Sequence, residues 1–181
     1  RCLAINIDGD IKFYSRQGNE FETLDRLKWD LSDNSPFEMM EPNTVLDGEL
    51  CIVDKNGSED FQSVMKEIRR KDHTIENPMF IIFDQLTLEE FNSQKSTRTL
   101  TQRNANQMSG NHFQTLEHTK IATEEELLIA QTVADECGFE GIMLRKDIGY
   151  EGKRSKHLLK VKKFHDAEYK VIYCEEGKIR Y

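Results

Sequence analysis

The sequence predicts an α+β fold, antiparallel sheets with flanking helices, and three observations carry that expectation. Short runs of alternating apolar residues are separated by Asp-Gly, Asn-Gly and Glu-Gly pairs, the usual mark of hairpins. Between them, leucine, valine and isoleucine recur at helical spacing beside residues that cap helices. No internal repeat and no linker divides the chain, so residues 1–181 read as one domain. With 37% hydrophobic residues, a chain of this length can bury a real core.

Each element follows from local pattern. From Cys2 to Ile7, Leu3, Ile5 and Ile7 share one face; Asp8-Gly9-Asp10 breaks the run, which resumes through Ile11 and Phe13. The second strand runs out into the polar turn Ser15-Arg16-Gln17-Gly18-Asn19. Leu24, Leu27 and Leu31 line one helical face, closed by Ser32-Asp33-Asn34 and Pro36. Thr44 to Val53 reads as strand, turn-like Leu46-Asp47-Gly48-Glu49, and strand again, ending at Asn56-Gly57. Ser58 caps a helix whose Phe61, Val64, Met65 and Ile68 form a buried stripe. Beyond Pro78, Met79 to Phe83 is too continuously apolar for an edge strand.

Leu86 to Phe91 predicts a short helix or turn, and the polar stretch from Ser93 to Gly110 a loosely packed helix anchored by Leu100 and Met108. A strand from Phe113 to Ile121 leads into Thr123-Glu124-Glu125-Glu126, a capping box. The helix it opens is expected to bury Leu127, Ala130, Val133 and Ala134 and to stop at Gly138. Glu140 and Gly141 then head a buried strand, Ile142-Met143-Leu144. A last alternating run, Ala167 to Tyr173, precedes a hairpin turn at Glu176-Gly177.

Composition excludes several classes. Nothing approaches the roughly 18 apolar residues of a membrane span. Cys2, Cys51, Cys137 and Cys174 form no Cys-x-x-Cys pair, which argues for reduced thiols in the cytosol rather than zinc or disulfides. The net charge of −8 speaks against nucleic acid, but its distribution does not. Arg145, Lys146, Lys153, Arg154, Lys156, Lys160, Lys162 and Lys163 crowd one stretch against only Asp147 and Glu151. The absence of an initial methionine, with a strand pattern at once, leads us to expect a fragment cut at both ends.

The chemistry concentrates between Glu140 and Lys163. In an extended chain Lys160 and Lys162 project to one side while Leu159, Val161 and Lys163 project to the other. Gly141, lacking a side chain, lets the neighbouring Glu140 approach closely. Alone, a Lys-x-Lys is ordinarily a solvated face and a Glu-Gly a turn. Together they point to a metal-bound polyphosphate.

Five segments in order carry a resemblance: Ser15-Arg16-x-Gly18-Asn19, Leu46-Asp47-Gly48-Glu49-Leu50, Phe80 to Asp84, Glu140 to Arg145, and Leu158-Leu159-Lys160-Val161-Lys162. They resemble the nucleotidyltransferase motifs of ATP-dependent DNA ligases, the compact bacteriophage and bacterial type above all. The resemblance implies the fold shared by DNA ligases and mRNA capping enzymes, with ATP and Mg2+ as cofactors and nicked double-stranded DNA as partner. It implies a monomer in the cytosol of a bacterium or phage-infected host.

In that family a lysine attacks the α-phosphate of ATP, AMP passes to a DNA 5′-phosphate, and a 3′-hydroxyl displaces it. By resemblance Lys160 and Lys162 hold the α-phosphate and Glu140 binds the metal. Glu49 takes the ribose or assists the metal, and Phe83 stacks on adenine. Arg16 meets the DNA phosphate, with Arg145 and Arg154 as further DNA contacts. The sequence contains no Lys-x-Asp-Gly of the family's Lys-x-Asp-Gly-x-Arg motif; by spacing Arg1 looks like the last residue of that motif and by resemblance joins the nucleotide-binding set, with the lysine expected just upstream. The resemblance also leads us to expect a C-terminal oligonucleotide-binding domain outside these residues, so the fragment alone is expected to be inactive. The alternatives are a capping guanylyltransferase or RNA ligase of the same superfamily, or a non-catalytic remnant that binds nucleotide or DNA.

Overall fold

The computed structural model describes residues 1–32, 40–53 and 61–162 together with 168, 170 and 173, with backbone alone at 61 and 62. The expected stops at Asp33-Asn34, Pro36 and Asn56-Gly57, the Ser58 cap and the Phe61 side chain lie outside the described residues. So do Lys163, Cys174, most of the run from Ala167 to Tyr173 and the turn at Glu176-Gly177. The chain forms two compact units, one of Arg1–Lys120 with Arg145–Leu158 and one of Ile121–Leu144 with Leu159–Tyr181.

The larger unit is built on a six-stranded sheet in the order β3-β2-β1-β4-β5-β6. Its strands are β1 (Cys2–Ile7), β2 (Asp10–Ser15), β3 (Glu20–Phe21), β4 (Thr44–Ile52), β5 (Pro78–Thr87) and β6 (Phe113–Thr115). The helices are α1 (Asp25–Leu31), α2 (Phe61–Glu67), α3 (Leu88–Ser93) and α4 (Leu100–Arg103). The β1–β2 hairpin turns on Asp8 and Gly9 at φ 51° and 93°, the paired positive values that a two-residue loop needs to match strand twist. Leu24, Leu27 and Leu31 are buried as expected, and α1 lies against β2 and β5.

The inward face of β1 is the opposite of the one its isoleucines mark: Cys2, Ala4 and Asn6 are buried, whereas Leu3 and Ile5 are half-buried and Ile7 is exposed. Ala4 lies in register between Phe13 and Leu46, and these two large side chains fill the space it leaves. Asn6 is tolerated inside because its amide donates to the Met40 carbonyl at 2.7 Å and accepts from the Gly9 N–H at 2.9 Å.

β5 is an interior strand, as its continuous apolar run requires, but it pairs with β6 in parallel, so the sheet is mixed rather than wholly antiparallel. β4 is one unbroken strand, not two around a turn; at the expected turn, Asp47-Gly48, its pairing with β5 shifts register by one residue, Phe83. Between Ser93 and Gly110 the described helix is only the single turn α4 after the end of α3, and β6 ends at Thr115 well short of Ile121. Met65 of α2 is exposed while Val64 and Ile68 are buried.

The smaller unit carries α5 (Glu124–Glu136). A two-stranded sheet pairs β7 (Ile142–Arg145) with β8 (Leu158–Val161). Thr123 and Glu126 form the capping box, and the helix ends with Gly138 at φ 75°. There the Phe139 and Gly138 N–H groups donate to Ala134 and Asp135, the Schellman pattern. Of the residues expected in its core, Ala134 is buried, Leu127 and Ala130 are half-buried, and Val133 is exposed. β7 is likewise not buried, with Met143 exposed, since a two-stranded sheet has no interior strand.

Candidate functional site

In the larger unit the site grows from an irregularity in the pairing of β4 with β5, where Phe83 of β5 is the extra residue with no register partner on β4. Pairing with β5 slips from Asp47 opposite Asp84 to Gly48 opposite Ile82. A side chain at Gly48 would stand 2.3 Å from the Ile81 carbonyl oxygen and 2.6 Å from the Phe80 ring, so only glycine permits this approach. Asp47 is thereby buried, its side chain 4% exposed, while Glu49 projects into solvent.

Arg1 grips Asp47 through Nε at 2.9 Å from Oδ1 and through Nη2 on Oδ2. The hydrogen bond to Asp47 holds the Arg1 guanidinium above its ordinary pKa, while burial pushes the Asp47 carboxyl up. The same guanidinium sits 5.3 Å from the centroid of the half-buried Phe83 ring.

Behind Phe83, Asp84 is a buried carboxylate shared by two arginines. Arg103 meets it with Nε at 2.7 Å and Nη2 at 3.0 Å, and Arg145 Nη2 with a third contact at 2.7 Å. Arg145 Nη1 also donates to the Phe83 carbonyl at 3.2 Å, and Asn104 Nδ2 to the same oxygen at 3.1 Å. Arg145, expected on a DNA-facing surface, is half-buried and gives Nη2 to Asp84 and Nη1 to the Phe83 carbonyl. The Tyr150 ring lies 5.8 Å from the Arg103 guanidinium, and burial raises its phenol pKa. Pattern reading missed Arg103, Asn104 and Tyr150. Arg103, three residues after Leu100 on the same helical face, was the one with a usable signal.

In the smaller unit the parity argument holds. Lys160 Nζ reaches Glu140 Oε2 at 2.8 Å, and Lys162 Nζ lies 3.5 Å from Oε1. Lys160 belongs to β8 and Lys162 follows its end, while Glu140 precedes β7. Gly141, at φ 149°, closes the cluster: a Cβ there would fall 2.2 Å from the Val161 carbonyl oxygen and 2.9 Å from Lys162 Cα. The Lys160 ammonium, and Lys162 after it, hold the Glu140 carboxyl below its usual range although all three side chains are exposed. Of the other candidates, Arg16 and Arg154 are exposed in the larger unit, Arg16 in the turn where Ser15 Oγ accepts from the Gln17 and Asn19 N–H groups.

This fold is shared with solved ATP-dependent DNA ligases. The ATP-dependent DNA ligase of bacteriophage T7, in complex with ATP, superimposes with a TM-score of 0.59 at 19% identity, over 89% of this chain and 58% of that one. The ligase domain of M. tuberculosis LigD gives 0.56 at 22%, over 89% and 50%. Residues 1–162 match the family model of the ATP dependent DNA ligase domain, and the chain belongs to that family. The DNA ligase of African swine fever virus is 28% identical over 178 residues, covering 94% of this chain and 41% of the viral protein. The SPbeta prophage-derived DNA ligase-like protein LigB of Bacillus subtilis is 28% identical over 189 aligned positions, all of this chain and 64% of that protein. The chain thus spans less than two thirds of the length of these relatives.

Proposed function

We propose that this chain is the adenylation domain of an ATP-dependent DNA ligase that seals nicks in double-stranded DNA. The observation that carries the reading is the convergence of Lys160 and Lys162 on Glu140 in a chain of this family. Phosphoryl transfer demands positioning and neutralisation of charge more than covalent participation by many groups. Lys160 and Lys162 neutralise the α-phosphate while an upstream lysine forms a bond to phosphorus and pyrophosphate leaves. Phe83 stacks on adenine, a contact worth about 1 to 3 kcal/mol. Glu49 takes the ribose, Arg1 borders the nucleoside, and Arg16 and Arg154 meet DNA phosphates.

The donor chemistry fits magnesium. Among the described residues no group of three or more His, Cys, Asp or Glu is placed to hold a metal ion. Magnesium needs no such cage, because it is commonly held by one or two carboxylates with substrate phosphates and water. Glu140 is the carboxylate that would hold it; when bound, the cation supplies further neutralisation of the polyphosphate.

The test is intact mass after incubation with magnesium and either ATP or GTP, using the polypeptide extended upstream of Arg1. A gain of one AMP with ATP alone, followed by sealing of a nicked duplex, is expected. A GMP adduct would move the protein to the capping enzymes, and no adduct with either nucleotide would leave a binding-only domain. The 181-residue chain itself is expected to show no adduct, for it contains no Lys-x-Asp-Gly.

A further inference from the structure

We propose that Arg145 is a positioning residue for the nucleoside: it fixes the backbone that aims the Phe83 ring, and it does so braced by Arg103 through their shared carboxylate, Asp84. This rests on the reading of Phe83 as the adenine-stacking ring. A ring that stacks on a base is useful only if its pose is set before the base arrives, since ordering it at binding would cost affinity. Phe83 is only half-buried, so packing alone does not set that pose. The backbone that carries the ring is held through its carbonyl, which accepts from Arg145 Nη1 at 3.2 Å and Asn104 Nδ2 at 3.1 Å.

Arg145 is in turn not free to swing. Its Nη2 is held by Asp84 at 2.7 Å. Asp84 is fixed from the other side by the bidentate Arg103, whose Nη1 also donates to the Arg98 and Ile148 carbonyls at 2.6 and 3.2 Å. One planar guanidinium thus ties the Phe83 carbonyl to the Asp84 carboxylate, two acceptors on adjacent residues. A lysine, with its single nitrogen, does not reproduce that fork.

The experiment is equilibrium binding of α,β-methylene ATP and of inorganic tripolyphosphate to the full chain and its variants Phe83→Ala, Arg145→Gln, Arg145→Lys and the double variant F83A/R145Q. Phe83→Ala should weaken the nucleotide by on the order of tenfold. Arg145→Gln should weaken it by roughly threefold or more while leaving tripolyphosphate binding unchanged, with Arg145→Lys between it and wild type. In the Phe83→Ala background Arg145→Gln should add nothing, because the ring through which it acts is gone.

Equal losses in both backgrounds, or a parallel loss of tripolyphosphate binding, would overturn the proposal by showing a merely structural or phosphate-binding role. If Arg145→Gln does not fold, Arg145→Lys carries the same cycle with the same two outcomes. A silent Phe83→Ala would refute the stacking reading and this proposal with it, whereas a weak Phe83→Ala beside a silent Arg145→Gln would refute this proposal alone.

Discussion

Asp84 carries its charge where its side chain is 1% exposed, so Arg103 and Arg145 take over the solvation that water would otherwise provide. Removing that charge leaves Arg103, equally buried, with no counter-ion. Asp84→Asn should therefore cost about 3 to 5 kcal/mol of stability in urea unfolding, because breaking a buried pair strands its partner. A loss below about 1 kcal/mol would mean that water reaches Arg103. Glu140 is the opposite case, exposed and held by hydrogen bonds and charge from two lysines. Its carboxyl is held below the ordinary value of 4.5, chiefly by the hydrogen bond from Lys160. A lowered folded-state pKa means that the cluster is intact above the ordinary carboxylate range and is lost only as pH falls through the lowered value. A carboxyl-carbon NMR titration should place the Glu140 midpoint below 4.5 and should move it upward in Lys160→Met. An unchanged midpoint in that variant would remove Lys160 as the cause.

At the scale of elements, the glycines of β4 and of the segment before β7 determine where the carboxylates stand. Gly48→Ala forces a Cβ against the Ile81 carbonyl and the Phe80 ring, neither of which is a flexible side-chain end. It should cost about 1 to 3 kcal/mol, as overpacking does. It should also weaken ATP binding, since Asp47 and Glu49 flank it. Retained stability with unaltered ATP affinity would show that the close approach of β4 to β5 at Gly48 is not needed. These two glycines also mark what pattern reading reaches. The β1–β2 hairpin, the α1 stripe, the Thr123 capping box, the Gly138 stop and the shared face of Lys160 and Lys162 are signals contained in a few consecutive residues, and all are present. Asp47-Gly48 misled because a glycine within a strand and a glycine in a turn look alike until the partner strand is known. The parallel pairing of β5 with β6 is invisible for the same reason. Arg103 and Asn104 find their partners 19 and 21 residues away, across a polar stretch with no period to guide the eye. The roles of Glu49, Phe83 and Arg1 came from resemblance; geometry adds that the Arg1 side chain joins Asp47 and Phe83 in one cluster.

For the whole molecule, a net charge of −8 sets a problem that the proposed contact with DNA must solve locally. Long-range attraction to a polyanion is opposed, so phosphate contacts must come from basic side chains not already neutralised by neighbouring acids. Lys28 illustrates the distinction, for its ammonium is 3.0 Å from Asp10 and its charge is internally matched. Arg16 and Arg154 stand exposed in polar loops. Each phosphate neutralised on duplex DNA contributes about −0.9 to the slope of log affinity against log salt. With the full chain and a nicked duplex, fluorescence anisotropy across a salt series should show that Arg16→Ala and Arg154→Ala each weaken binding and each make the slope shallower by about 1. Lys28→Ala should leave both quantities unchanged, which controls for the general loss of a positive charge. If all three variants weaken binding alike without altering the slope, the arginines act through the overall field. If only one arginine changes the slope, the DNA path runs past that loop and not the other, because counterion release counts contacts and is indifferent to how the remaining charge is spread.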